Sequence, residues 1–176
     1  ATHTVRYSFF SESGLIAVGV EDECAWTPPV SLAAQIPNAA SGWGTILCDT
    51  YVNGSLVSTN TCAFQLTVPA SVVPSISSVS IAEASAGVAD RFGGYVRTRS
   101  KLSVGITATG AQGSSISAYR TSIDSVTYSS SSFTTNTLNT AGNLTMTVTV
   151  TDSRGRTAST TRTVTVLDYS PPSLSM

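Results

Sequence analysis

The strongest constraint on this chain is how often apolar residues recur at every second position, and how soon each run is cut off. Leu144, Met146, Val148 and Val150 alternate with threonines, and the pattern returns from Arg156 to Leu167, ending on Val164 and Val166. Between the two runs lies Asp152-Ser153-Arg154-Gly155, a turn sequence. A period of two puts one set of side chains on one face of a strand. Shorter runs of the same kind recur along the whole length, roughly every eight to twelve residues with turn signals between, which is the signature of a sandwich or barrel. No segment keeps a helical period over three turns. The chain is therefore expected to be all-β.

The runs fall into two groups. In the first, Val5-Arg6-Tyr7-Ser8-Phe9 reads as a half-buried strand, Gly14 to Val20 as a second, and Cys24 to Thr27 as a short third stopped by Pro28-Pro29, which cannot donate to a ladder. Ser31 to Ile36 has room for one helical turn. Gly44 to Val52 alternates, Asn53-Gly54 is the strongest short hairpin signal because both turn residues must accept φ > 0, and Ser55 to Ser58 and Thr61 to Val68 follow as two more strands. Pro69 and Pro74 then bracket a short break. The second group starts at Ile76 and includes a Gly/Ala-rich loop over Glu83 to Gly94. The expected organisation is two tandem immunoglobulin-like β-sandwich domains: an N-terminal sandwich over 1–70, a linker over 71–75, a C-terminal immunoglobulin-like sandwich over 76–169, and a tail or linker to a missing region over 170–176.

Composition supports this class and narrows function. Only 11% of the 176 residues are charged, against roughly 25% in an average domain. Serine and threonine together supply roughly a third of the chain, which suits strands and turns whose polar faces carry hydroxyls. The net charge of −1 offers no basic field for nucleic acid. No apolar run approaches the roughly 18 residues of a membrane span, so membrane insertion is not expected.

Side chains able to do chemistry are sparse. His3 is the single histidine and lies near a terminus, so a histidine-dependent triad has no natural centre. Glu21-Asp22-Glu23 reads as a solvated turn rather than a paired-carboxylate site or a calcium loop. Gly93-Gly94 lacks the lysine and helix of a phosphate loop. Cys24, Cys48 and Cys62 are spaced for neither a disulfide framework nor a CxxC metal site; each sits in phase with apolar neighbours, and three reduced buried thiols are expected over a single disulfide or a zinc site. Catalytic, cofactor-binding and metal-ligating residues are thus all expected to be none, and the protein is expected not to be an enzyme. Aromatic and basic residues leave two contact candidates. Trp26, in phase with Cys24, reads as core. Trp43, between two glycines, is open between core and an exposed loop edge. Arg91, Phe92, Tyr95, Arg97, Arg99 and Lys101 form a basic stretch, either a solvated strand end with an aromatic plug or a contact surface for a neighbouring subunit or an anionic wall polymer. Trp43, Arg91, Phe92, Tyr95 and Arg97 are the residues named as possible glycan or subunit contacts.

Three strings carry a family resemblance: Trp26-Thr27-Pro28-Pro29-Val30-Ser31-Leu32-Ala33-Ala34-Gln35-Ile36-Pro37-Asn38-Ala39, Lys101-Leu102-Ser103-Val104 after the Phe92–Val96 loop, and Val150-Thr151-Asp152-Ser153-Arg154-Gly155-Arg156-Thr157-Ala158. Together they resemble a siphovirus tail or baseplate family of uncharacterised function, found in tailed phages and prophages of Gram-positive bacteria. The resemblance implies a virion component, assembled in the bacterial host cytoplasm and located in the tail. It implies other virion tail proteins as partners, with host cell-wall polysaccharide as a further candidate. It supplies no catalytic residues to carry over. The expected role is a non-catalytic spacer or connector of a tail, tail tip or receptor-binding fibre; the alternative is a carbohydrate-binding module aiding adsorption to the host wall.

Overall fold

The structure, a computed structural model, describes residues 1–172; the last part of the expected tail, 173–176, lies outside the described residues. The chain divides into two compact units, the first over Ala1–Val72 with Ala111–Ser114, the second over Val73–Gly110 and from Ser115 onward. The first break in sequence falls between Val72 and Val73, within the Pro69 to Pro74 segment. Assignment of the loop 111–114 to the first unit has no counterpart in the sequence reading.

The N-terminal unit is built on one antiparallel sheet in the order β2-β1-β3-β4. Its strands are β1 (Thr2–Phe9), β2 (Glu12–Val20), β3 (Ser41–Val52) and β4 (Ser55–Thr67). Asn53 and Gly54 take φ of 48° and 79°, the left-handed pair that a two-residue hairpin turn requires. One face of the sheet is covered not by a second sheet but by a 3-10 helix, Val30–Gln35, and by the Trp26 side chain. Phe9, Leu32, Ala33, Ile36, Leu66 and Val68 form the buried cluster. Trp26 stacks on Tyr7 with ring centroids 4.9 Å apart and meets Phe64 edge-on at 5.3 Å.

This half differs from the expected two-sheet sandwich. Residues 24–27 form no strand: the two prolines that follow cannot extend a ladder, and Leu32, Ala33 and Ile36 are spaced for a helical turn that closes the core instead. The two returning runs expected after Asn53-Gly54 are one strand of thirteen residues. The cysteines are free, as expected, but only Cys48 is even half-buried; Cys24 and Cys62 are exposed. Cys24 lies outside any strand, and Cys62 sits on an edge strand beyond the reach of the covering helix.

The C-terminal unit has the strand order of an immunoglobulin-like sandwich. Its elements are β5 (Ser75–Glu83), α1 (Val88–Phe92), β6 (Tyr95–Val96), β7 (Leu102–Thr109), β8 (Ile116–Ile123), β9 (Val126–Tyr128), β10 (Ser132–Thr134), β11 (Gly142–Asp152) and β12 (Thr157–Leu167). One sheet runs β10-β7-β5, the other β6-β12-β11-β8-β9. The opening segment is shared between the sheets: β5 pairs antiparallel with β7, while β6 pairs parallel with the last strand, β12. Leu102, Val104, Ile106, Met146, Val148, Val150, Val164 and Val166 fill the space between the sheets, so the alternation read from sequence is the core itself. At about 1.5–3 kcal/mol for each fully buried aliphatic side chain, this layer is the main source of the unit's stability.

Candidate contact surfaces

In the C-terminal unit, a knot of hydrogen bonds fixes the segment that carries the basic residues. The Glu83 carboxylate accepts from the backbone N–H of Ser85 at 2.8 Å and of Lys101 at 3.2 Å, and from the Ser100 hydroxyl. Ser100, fully buried, in turn accepts from Val96 N–H at 2.7 Å. One carboxylate therefore anchors the end of β5 to the start of β7, and the loop between them projects as α1. Gly87 and Gly93 flank α1 with φ of 71° and 70°, conformations a side chain rarely adopts, which accounts for a glycine at each end of so short a helix.

This framework separates the residues that the sequence grouped. Arg91 and Phe92 lie on α1 and line a shallow recess of about 320 Å³ with Gly87, Val88, Arg99 and Tyr169. Phe92 is 41% exposed and meets the Tyr169 ring edge-on at 5.5 Å, while the Arg99 guanidinium lies 5.3 Å from the centre of the same ring. Tyr95 instead packs against the sandwich core, with its hydroxyl directed at the Ile81 carbonyl 3.5 Å away. Burial, and secondarily the charge of Glu83, push its phenol above the ordinary value. Arg97 reaches the far end of β12: its guanidinium pairs with Asp168 at 3.0 Å and donates to the Tyr169 carbonyl at 3.4 Å. Tyr95 and Arg97 are thus tied into the fold, whereas Arg91 and Phe92 face the recess. Tyr169 and Arg99, not among the residues singled out as contacts, complete it. Tyr169 is distant in sequence from the basic stretch, and only the pairing of β6 with β12 brings it there.

Trp43 belongs to the other unit. It is 65% exposed on the uncovered face of the N-terminal sheet, opposite Gln65. Alternation places Leu47 and Asp49 on the same face of β3. Asp49 is nearly covered: its carboxylate accepts from the Thr59 hydroxyl at 2.6 Å and pairs with the Arg6 guanidinium. The Thr59 hydrogen bond, followed by the bond and charge of Arg6, outweighs burial and holds this carboxyl below its usual range. Leu15 and Val18 on β2 are 60% and 67% exposed, so this unit carries much of the protein's uncovered apolar surface.

The remaining acidic groups do not converge. Glu21, Asp22 and Glu23 are exposed in an irregular segment. Among the described residues, no group of three or more His, Cys, Asp or Glu side chains is placed to hold a metal ion, and no helix is long and apolar enough to cross a membrane.

Comparison with known proteins gives one family. A family described as "Siphovirus protein of unknown function (DUF859)" matches residues 1–176. No curated protein sequence matches the chain. Among solved structures, the fibronectin(III)-like modules of Clostridium thermocellum CbhA align over 95% of this chain and 79% of that chain, with 14% identity and a TM-score of 0.40. The immunoglobulin-like assignment of the second unit rests on its own strand order rather than on that likeness.

Proposed function

The chain belongs to the siphovirus protein family whose model spans it, and on that premise we propose that it is a non-catalytic structural module of the virion tail, holding neighbouring components at fixed separation. The observation that carries this reading is the use made of its paired and hydrogen-bonded ionic groups. Glu83 fastens β5 to β7, Asp152 closes the β11–β12 turn, the Arg97–Asp168 pair fastens β6 to β12, and the Arg6–Asp49 pair joins β1 to β3. Each joins segments of backbone to one another, which stiffens a scaffold. None is held unpaired in a cleft, where a catalytic acid or base is poised.

A carbohydrate-binding role is the second reading. It is favoured by Phe92, Tyr169, Arg91 and Arg99 around one recess and by the exposed Trp43 face, since aromatic faces beside polar side chains suit sugar rings. Two measurements separate the readings. Antibody labelling and mass spectrometry of purified virions should find the protein in the tail in fixed stoichiometry. Sedimentation of the purified chain with host cell walls should leave it in the supernatant. Saturable wall binding abolished by Phe92→Ala or Trp43→Ala, with the fold intact, would replace the spacer reading with the binding module.

A further inference from the structure

Among the described residues the sheets end in six edge strands, and five of them are blunted. β6, β9 and β10 are two or three residues long. β5 carries an irregularity between Ile76 and Ser78 and ends on Glu83. β2 begins on Glu12 and breaks register with β1 twice. Short length, bulges and charge are the usual ways of keeping an exposed edge from pairing with another chain. β4 has one bulge near its start, at Val57, and none of these devices from Ser58 onward. It runs for thirteen residues, contains no charged residue and no proline, and pairs only with β3. Its register with β3 is unbroken from Ser58 to Thr67, and its residues are exposed from Ser55 to Ala63. Every second residue of such a strand directs its N–H and C=O outward, where a further strand would satisfy them.

We propose that a second copy of this chain adds to β4, antiparallel and about a two-fold axis, to make one continuous eight-stranded sheet from two N-terminal units. The strand is self-complementary in the way such an isologous contact needs. Opposite residues of an antiparallel pair must share a face, so the axis passes through a residue; the two middle residues of the unbroken stretch Ser58–Thr67 are Cys62 and Ala63, and we set the axis at Cys62. That axis sets Thr61 opposite Ala63, Asn60 opposite Phe64, Thr59 opposite Gln65 and Ser58 opposite Leu66 of the second copy. No like charges meet, and the half-buried Phe64 gains a neighbour. Cys62, exposed and free, falls opposite its own counterpart. Directly opposite residues have Cβ atoms about 4.5–5.5 Å apart, and a disulfide spans Cα atoms about 4.4–6.8 Å apart.

The test uses the 176-residue chain. Light scattering after size exclusion should give a dimer. Diamide, taking up two protons and two electrons from two thiols, should convert it to a covalent dimer that Cys62→Ser abolishes and Cys24→Ser does not. Cys62→Ser should remain a non-covalent dimer. Thr61→Lys with Ala63→Lys sets ammonium groups opposite one another across the axis and should raise the dissociation constant by about tenfold or more. Thr61→Glu with Ala63→Lys sets opposite charges there and should keep the dimer; circular dichroism reports the fold of both. A wild-type monomer, a covalent dimer that survives Cys62→Ser, or association unmoved by the paired lysines would each overturn the proposal.

Discussion

Two aspartates do opposite kinds of work at the scale of single residues. Asp152 is 1% exposed, and its Oδ1 accepts from the backbone N–H of Arg154 and of Arg156, each at 2.9 Å. It thereby closes the turn that the sequence marks as Asp-Ser-Arg-Gly. Asp152→Ala leaves two amides without that acceptor and should lower stability by about 1–3 kcal/mol in urea unfolding; Asp152→Asn, which keeps an oxygen at Oδ1, should lose less. Asp49 adds a pH dependence to the N-terminal unit. Its folded pKa lies below the unfolded one, so it contributes fully above an unfolded value of about 3.9 and loses the contribution as pH falls through the folded value. Thr59→Val removes the largest lowering cause, so the Asp49 carboxyl resonance should titrate at higher pH in the variant. An unchanged midpoint would mean that the hydroxyl does not hold the carboxylate.

At the scale of elements, what was legible depended on whether a strand speaks for itself. β11, β12 and β7 alternate cleanly because both neighbours bury one face, and the second sandwich could be read from them. The Asn53-Gly54 turn was legible for the same local reason. The equivalent turn at Asp124-Ser125, with φ of 48° and 64°, was not, since neither residue is glycine. β6 has two residues and a parallel partner seventy-one residues away, a relation with no local pattern. The exposed state of Cys62 was hidden too. Its alternation with Phe64 and Leu66 is real, but the 3-10 helix covers only the end of the strand. The Trp43 candidate was legible as an ambiguous loop edge and the recess only in part, because Tyr169 joins it through the fold. Gly44 shows the same dependence on partners. A Cβ built there would lie 2.5 Å from the Phe64 ring and 2.8 Å from the Ser8 carbonyl oxygen. Gly44→Ala must displace backbone as well as ring, and should cost about 1–3 kcal/mol, seen as a lower urea midpoint with the m-value unchanged.

At the scale of the molecule, the proposed spacer role would load the chain along its length, and the second unit contains a feature suited to resist that load. β5 brings the chain in and β12 carries it out, with β6 lying parallel to β12 through the pairs Tyr95–Val166 and Val96–Leu167. Tension applied at the start of one parallel strand and the end of the other slides them lengthwise, so their bonds are loaded together rather than one after another. The clamp continues beyond the strands: Arg97 N–H donates to the Leu167 carbonyl at 2.9 Å, and the Arg97 guanidinium holds Asp168. In equilibrium this pair matters little. Its side chains are 35% and 69% exposed, and a solvent-exposed bridge is worth about 0–1 kcal/mol. Under force it lies directly on the load path, and forced unfolding is governed by the unfolding rate rather than by equilibrium stability. Arg97→Ala and Asp168→Ala should therefore lower the force at which the second unit yields in single-molecule pulling between its ends, while the urea midpoint stays close to wild type. If force and midpoint fell in proportion, the bridge would be an ordinary stabilising contact. If neither moved, the β6–β12 clamp would not carry the load, and the spacer reading would lose its mechanical basis.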